Sequence, residues 1–295
     1  MTTTIERSVP SARPARRLPL AWLGLIPFFL FAILFIGLPV TYLVVGSFQN
    51  NQGATTLQNY QDLLGQNTLR SFTLSIEISL VTALVGGIFG FLLAYAVILG
   101  GLPRFLRGAL MTFSGVASNF AGVPLALAFI FTLGQLGIVT LFLKGVGIDP
   151  YAEGFTIYSK IGLELVYLYF QFPLMVLIIA PAIDGLRPEW REAAENMGAS
   201  SFEYWRRVAL PILFPTILGS MILLFGNAFG AQATAYQLTS GTLPIVPVII
   251  GAQISGDVLH NPGLGYAMAM GMVIIMGISI GIYTLLQRRA ERWRR

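Results

Sequence analysis

The chain has 295 residues, of which 55% are hydrophobic and only 11% are charged. Soluble domains carry about 25% charged residues, so this composition and a mean hydropathy of +0.74 exclude an ordinary water-soluble domain. The absence of cysteine excludes disulfides and thiolate metal sites, and a single histidine excludes a histidine-rich metal site. The net charge of +5 comes from arginines that flank apolar runs, which favours membrane orientation over nucleic-acid binding.

The chain begins with a polar tail and continues into apolar runs. Residues 1–19 are rich in arginine and proline and are interpreted as a basic cytoplasmic tail. The run at 20–48 is too long for the core of a signal peptide and lacks a small-residue cleavage site, so we expect an uncleaved first transmembrane helix. Five more transmembrane helices form a predicted core at 70–290, since each is long enough for a bilayer core of about 30 Å, which needs about 20 residues. Their approximate bounds are 72–99, 106–133, 161–183, 208–224 and 265–286.

Two apolar regions do not fit a simple span. Ala109–Leu143 has no charged residue and would form about 52 Å of helix at about 1.5 Å per residue, which is too long for one crossing. Gly134 and Gly137 predict a break, followed by a short separate helix at 135–147. The region 228–264 is apolar but interrupted by glycine and proline, so we expect the end of a span and then a folded outer loop.

The distribution of lysine and arginine predicts the orientation of the chain. Of the 18 basic residues, all but Arg70, Lys144 and Lys160 lie in the tail, at the C-terminus, or in the loops after the second and fourth transmembrane helices. Both termini are therefore expected in the cytoplasm, which agrees with an even number of spans. The charge-rich loop at 184–207 is expected on the same side.

The loop at 184–207 has the local signals of two short helices. Pro188 suits the first position of a helix, and Gly198 suits the residue just after its end. Ser200 and Glu203 have the spacing of a capping box that opens a second helix. An interfacial helix lying on lipid headgroups is the alternative, although acidic residues fit an anionic leaflet poorly. Four residues of the first helix are expected on one face: Trp190, Ala193, Ala194 and Met197.

The same loop resembles the EAA loop of binding-protein-dependent ABC importer permeases. That loop has the pattern E-A-A, three residues, G, nine residues, I-x-L-P, and the chain departs from it only by valine for isoleucine at position 208. The resemblance covers about 70–290. It implies an all-α integral membrane protein with six transmembrane helices, the MetI-like permease fold and cytoplasmic coupling helices, in the bacterial inner membrane.

The resemblance also implies residue roles and partners. The glutamate would contact an ATPase, the alanines would pack into its groove, the glycine would make the turn, and the Leu-Pro pair would join the loop to the next span. The expected partners are a cytoplasmic ABC ATPase dimer, a second, homologous permease subunit, an extracytoplasmic solute-binding protein and membrane lipid. No Gly-Lys dipeptide occurs, which excludes a P-loop, so no enzyme activity and no cofactor are expected. The coupling residues are Glu192, Ala193, Ala194, Gly198, Leu210 and Pro211.

Four polar residues in or just beyond predicted spans are candidates for a solute pathway: Glu77, Glu164, Gln171 and Asn227. Ionisable groups inside a membrane are functional candidates, and two carboxylates would suit a cationic solute. The alternative is that both carboxylates reach water at the outer surface.

Cargo and transport class stay open. The stretches 227–236 and 256–259 are similar to the polyamine (spermidine/putrescine) branch of these permeases, which implies a polyamine cargo, with 2-aminoethylphosphonate or ferric iron as alternatives from neighbouring branches. A gradient-driven secondary transporter or channel is the alternative of another class, but it has no reason to keep the EAA spacing. A membrane-embedded enzyme lacks a plausible set of catalytic residues.

Overall fold

A computed structural model describes residues 21–50, 52–256 and 260–292; the tail predicted at 1–19 lies outside them. π-helical turns at Ile33–Gly37 and Trp205–Ala209 each join two consecutive α-helices. The α-helices of the described residues are α1 Ala21–Ala32, α2 Leu38–Ser47, α3 Gln58–Leu63, α4 Gln66–Leu99, α5 Arg104–Asn119, α6 Gly122–Leu133, α7 Ile138–Gly145, α8 Lys160–Asp184, α9 Pro188–Asn196, α10 Ser201–Tyr204, α11 Leu210–Phe229, α12 Gln232–Thr239, α13 Val246–Ser255 and α14 Pro262–Arg292.

Six helical segments of the described chain are long and apolar enough to cross a membrane, which confirms the predicted number. The break at Gly134–Gly137 and the separate short helix α7 are also as predicted. The candidate spans are Gly24–Ser47, Gln66–Leu99, Gly122–Gly145, Lys160–Asp184, Ser201–Phe229 and Pro262–Arg289.

The third predicted helix, at 106–133, is not continuous. It is divided into α5 and α6, because Ala121 is extended and Gly122 has a φ of +73°. The N–H of Gly122 starts a new helix and therefore lacks a partner within it. Thr234 of α12 supplies that partner, since its Oγ1 accepts from Gly122 N at 2.7 Å.

The region predicted as a loop at 228–264 contains two helices, α12 and α13. The N-terminus of α13 is held by Ser75 of α4, whose Oγ accepts from Val246 N at 2.8 Å. The linker before α12 is held by Tyr167 of α8, whose hydroxyl donates to Ala231 O at 2.6 Å. Because these hydrogen-bond partners are distant in sequence, the sequence pattern could not reveal them. The prediction therefore depended on the local glycines and prolines, which indicated a loop. Residues 257–259 of the polyamine-like stretch lie outside the described residues.

The core of the bundle is the close packing of α4 against α8 and α11. A Cβ atom on Gly90 would lie 2.6 Å from Met175 Cβ and 2.9 Å from Phe172 O, so only glycine allows this approach. Gly86 meets the Cβ of Gln171 at 2.7 Å in the same way. These glycines at small-xxx-small spacing bring two helices together, as is common in membranes.

The two ends of the bundle carry different elements. The helix α11 has 20 residues, about 30 Å at about 1.5 Å per residue, and runs from α10 to α12. We call the end with α9 and α10 the α9 end, and the end with α12 and α13 the α13 end. The first span packs on α14 through α2, where Tyr42 and Gly46 both meet the ring of Tyr266. Phe28 and Phe35 in that span are 65% and 66% exposed.

Gly90→Val tests the close packing of α4 on α8. The added side chain overfills the interface, so we expect a loss of about 1–3 kcal/mol and a lower melting temperature in detergent. The matched control is Gly108→Val in α5, where nothing lies within 4 Å of an added Cβ. Size-exclusion chromatography after graded heating measures both. Equal melting temperatures for the two variants would contradict this packing.

Candidate functional site

The helix α9 is defined by a proline at its start and a glycine after its end. Pro188 is its first residue, and Arg187 before it is extended. Gly198 has a φ of +82°, a left-handed conformation that glycine adopts without steric cost. The N–H of Ala199 then donates back to Ala194 O at 3.0 Å, which closes the helix end. The local signals therefore predicted this helix correctly.

The predicted capping box at the start of α10 is confirmed. The N–H of Glu203 donates to Ser200 Oγ at 3.3 Å, and the N–H of Ser200 donates to Glu203 Oε2 at 3.0 Å. From Ser201 the helix continues through the π-helical turn Trp205–Ala209 into α11 without a break. The loop is therefore joined to a membrane-spanning helix by continuous helical backbone.

The two alanines of the EAA pattern face different surroundings. Ala194 is 3% exposed and packs with Tyr204 and Ala209 of its own chain, whereas Ala193 is exposed. Met197 is 81% exposed. The four residues predicted on one face therefore have different surroundings, although their spacing places them on one side of the helix. Successive helical residues lie about 100° apart, so a helix that packs on one side separates neighbouring alanines.

The outward surface of α9 is charged. Glu189 and Glu192 are exposed and form no ion pair within the described residues. Arg191 donates to Glu195 Oε1 at 2.9 Å, and this hydrogen bond raises the pKa of the Arg191 guanidinium. The positive charge of Arg191 is therefore balanced by Glu195. The unpaired carboxylates of Glu189 and Glu192 give this surface a negative potential near the N-terminus of the helix.

Contacts next to the α9–α10 segment involve the ends of other spans. The ring of Trp205 meets Tyr95, near the end of α4, at a centroid distance of 4.9 Å and an interplanar angle of 85°. Arg107 of α5 forms an ion pair with Asp184 at the end of α8. Sequence reasoning missed Tyr95 and Trp205, because no local pattern relates them. Leu210 and Pro211 begin α11 and are exposed.

The two predicted pathway carboxylates lie together, on either side of Lys160. Lys160 forms an ion pair with Glu77, and its Nζ lies 3.9 Å from Glu164 Oε1. The Glu77 side chain is 52% exposed and that of Glu164 is 16% exposed. Glu164 Oε1 is buried without a hydrogen-bond partner in the structure. The cluster has one more carboxylate than cations. Sequence reasoning missed Lys160 as the partner, although its spacing of four residues from Glu164 was a signal.

The other two candidates, Gln171 and Asn227, have different surroundings. Gln171 is fully buried between helices, and its Nε2 donates to Leu224 O at 2.9 Å while its Oε1 has no partner. Asn227 is exposed on α11. Gln171 follows Glu164 by seven residues, about two turns on the same face of α8. The structure therefore brings the carboxylates together but does not join all four residues in one cavity.

The sequence matches the model of a family described as the binding-protein-dependent transport system inner membrane component, over residues 86–292. The chain belongs to this family. The matched region contains α9, α10 and every span from the second half of α4 onwards. Membership establishes a multi-pass permease component of ABC importers with an all-helical fold.

Three curated relatives are 26–28% identical to this chain. A probable sulfate transport system permease protein of Helicosporidium sp. subsp. Simulium jonesii is 26% identical over 86% of this chain and 89% of its own length. The sulfate transport system permease protein of Salmonella typhimurium is 27% identical over 68% of each chain. A spermidine/putrescine transport system permease protein of Haemophilus influenzae is 28% identical over 54% of this chain and 56% of its own. These matches do not specifically support the polyamine branch.

The fold also matches a solved structure. A chain in the crystal structure of a bacterial ABC transporter involved in the import of the acidic polysaccharide alginate aligns with a TM-score of 0.72 at 17% identity. The alignment covers 92% of this chain and 95% of the other. At this identity the likeness concerns the fold alone.

The paired variants Ala194→Glu and Ala193→Glu test which alanine packs inside the chain. A carboxylate at 194 would be buried without a partner, which costs about 2–4 kcal/mol and opens the α9–α10 segment. We expect trypsin to cut the purified variant after Arg191 at least about tenfold faster than the parent chain. Ala193→Glu, its matched control, should be cut at the parent rate. Equal acceleration in both variants would contradict the burial of Ala194.

Proposed function

We propose that this chain is one permease subunit of an ATP-driven importer and forms half of the pathway for a small charged solute. The observation that carries the proposal is the divided surface of α9. Ala194 fixes the helix to its own chain, while Glu192 and Ala193 point away from it. A helix held on one side and charged on the other suits docking on a separate subunit. The subunit we propose is a cytoplasmic ABC ATPase, which places both termini in the cytoplasm.

The contacts of α9 suggest how its movement reaches the spans. Ala194 packs on Tyr204 and Ala209, so a displaced α9 carries α10 and the π-helical turn with it. The turn leads directly into α11, and Trp205 transmits the displacement to Tyr95 of α4. We propose that ATPase closure moves α11 and α4 together in this way. The ATPase supplies the energy, and the role of this chain is to convert its closure into a change of access.

A second permease subunit completes the pathway in this proposal. Leu223 is 59% exposed, and Asn227 and Gly230 follow it at intervals of four and three residues, so Leu223 and Asn227 lie on one face of α11 and Gly230 continues that side just after the helix ends. This face points away from the core that α11 shares with α4. We propose that it lines the pathway opposite a homologous subunit, and that an extracytoplasmic binding protein delivers the solute at the α13 end.

Reversal of one charge on α9 tests ATPase docking. Glu192→Lys replaces an exposed, unpaired carboxylate with a cation. We expect the tagged variant, extracted gently from its own membrane, to lose at least about 90% of the ATPase that co-purifies with the parent chain, as judged by quantitative mass spectrometry, because truncating or reversing a central interface charge costs about 2–5 kcal/mol. Glu153→Lys, an exposed change far from α9, is the control and should retain the ATPase.

The opposite results would count against the importer. Recovery of the chain without an ATPase, together with transport that survives ATP depletion, would support a gradient-driven carrier. An ATPase retained equally by Glu192→Lys and by the parent chain would remove α9 as the docking helix while leaving the family membership intact.

Two cargo classes have specific support. Relatives named for sulfate match over most of the chain, which favours a small oxyanion. The excess carboxylate in the cluster of Glu77, Lys160 and Glu164, together with the shorter match to a spermidine/putrescine permease, favours a cationic polyamine. We propose the oxyanion first, because the supporting match covers a larger share of both chains.

Neutralising Lys160 or Glu164 separately has opposite expected effects on the uptake of the two cargoes. The complex and its binding protein, reconstituted in liposomes, are tested for uptake of labelled sulfate and spermidine. For an oxyanion, Lys160→Gln removes the local cation and should lower uptake by about threefold or more, whereas Glu164→Gln should not lower it. For a polyamine, Glu164→Gln lowers uptake and Lys160→Gln does not. Unchanged uptake in both variants would remove the cluster from the pathway. Protein level is measured in each case.

A further inference from the structure

A groove of about 410 Å³ opens between α4, α11 and α14, and it has no part in the coupling described above. Its walls are formed by aliphatic and aromatic side chains, among them Leu80 and Leu84 of α4 and Ile278 and Ile282 of α14. The hydroxyl of Ser279 is the single polar side chain in the wall, and it already donates to Ile275 O at 2.9 Å. A polar or charged solute would find no partner here, so the groove favours an apolar occupant.

The groove lies on the opposite side of α11 from Asn227. Phe225 lines the groove, and two helical residues are about 200° apart, so Asn227 points the other way. A pathway that follows Asn227 is therefore separated from the groove by the body of α11. The open side of the groove faces outward from the bundle, where Leu80 and Ile278 are 48% and 57% exposed.

Basic residues stand at one end of the groove. The lining follows α14 from Ile275 to Leu286, about 16 Å of helix at about 1.5 Å per residue. Ile282, Leu286 and Arg289 lie at i, i+4 and i+7, so Arg289 continues the groove face beyond the apolar wall. Arg288 and Arg289 are both exposed and form no ion pair within the described residues.

We propose that an anionic phospholipid occupies this groove, with an acyl chain between α4 and α14 and its headgroup at Arg289. The apolar wall accommodates the chain, and the unpaired guanidinium of Arg289 at its end complements a phosphate. Basic residues next to a span attract anionic lipid at about 1 kcal/mol each. The arginines lie at the α9 end, so the lipid belongs to the cytoplasmic leaflet in the orientation of the proposed function. The bound lipid fills the gap through which α4 and α14 would otherwise move relative to α11.

Lipid binding by the purified full-length chain tests the proposal. After removal of native lipid in neutral detergent, the chain is titrated with phosphatidylglycerol or phosphatidylcholine, and native mass spectrometry measures the bound lipid. We expect one phosphatidylglycerol to bind more tightly than phosphatidylcholine. Arg289→Gln should weaken phosphatidylglycerol binding by about fivefold and leave phosphatidylcholine unchanged, whereas Arg288→Gln, on the opposite side of α14, should weaken neither. Arg104→Gln, at an exposed arginine of α5, should have no effect.

A second pair of variants tests the position of the acyl chain. Ser279→Trp fills the groove and should weaken both lipids, whereas Ile280→Trp, on the neighbouring outward position, should weaken neither. If Ser279→Trp lowers the yield of folded protein, the two arginine variants still decide the headgroup contact. Equal binding of the two lipids, or equal effects of groove and control variants, would overturn the proposal.

A protein occupant would also overturn it and is detected separately. The chain has no cysteine, so Leu84→Cys places a unique thiol in the groove. Efficient crosslinking of this thiol to another polypeptide in the native membrane means that a protein covers the groove. Absence of such a crosslink, with retention of phosphatidylglycerol, supports the lipid.

Discussion

A bilayer core contains no water, so every backbone N–H and C=O placed there must find its partner within the protein. The long helices satisfy this condition along most of their length. Where they are interrupted, side chains from distant segments supply the missing partner. Thr234 accepts from the start of α6, Ser75 accepts from the start of α13, and Tyr167 and Tyr151 donate to Ala231 O and Leu133 O. These four hydrogen bonds hold α6, α12 and α13 to the rest of the bundle.

The α9 end is also held firmly by the rest of the chain, which the proposed coupling requires. A loop that was merely flexible would absorb any displacement imposed by a partner. Here α9 is fixed by Ala194, and α10 continues into α11 as one helix. Close packing of α11 and α8 on α4 then spreads the displacement, because glycine contacts such as that of Gly90 leave no free space to take it up. The proposed coupling therefore depends on packing that is already complete in the single chain.

Charge is confined to the edges of this apolar bundle, and it differs between the two ends. At the α13 end, Lys160 forms an ion pair with Glu77 and lies near Glu164. This pairing lowers the free-energy cost of placing ionised groups close to the membrane. At the α9 end, Glu189 and Glu192 of α9 and the exposed arginines of α14 form no ion pair within the described residues. Unpaired charges at an exposed end are available to other molecules, and their opposite signs suit different ones: a protein surface for α9 and a lipid headgroup for α14.

The sequence by itself determined the number of spans, the position of the charged loop at 184–207 and the helix boundaries within it. These features depend on apolar length, on proline, on Gly198 and on the Ser200–Glu203 capping box, all of which act between residues close along the chain. Only the tertiary structure decided the break before Gly122, the helices within 228–264, the different surroundings of Ala193 and Ala194, the pairing of Lys160 and the groove beside α14. The reason is physical: the hydrogen bonds that stabilise the break and start α13 join residues 112 and 171 positions apart, and burial depends on which surface a helix packs against.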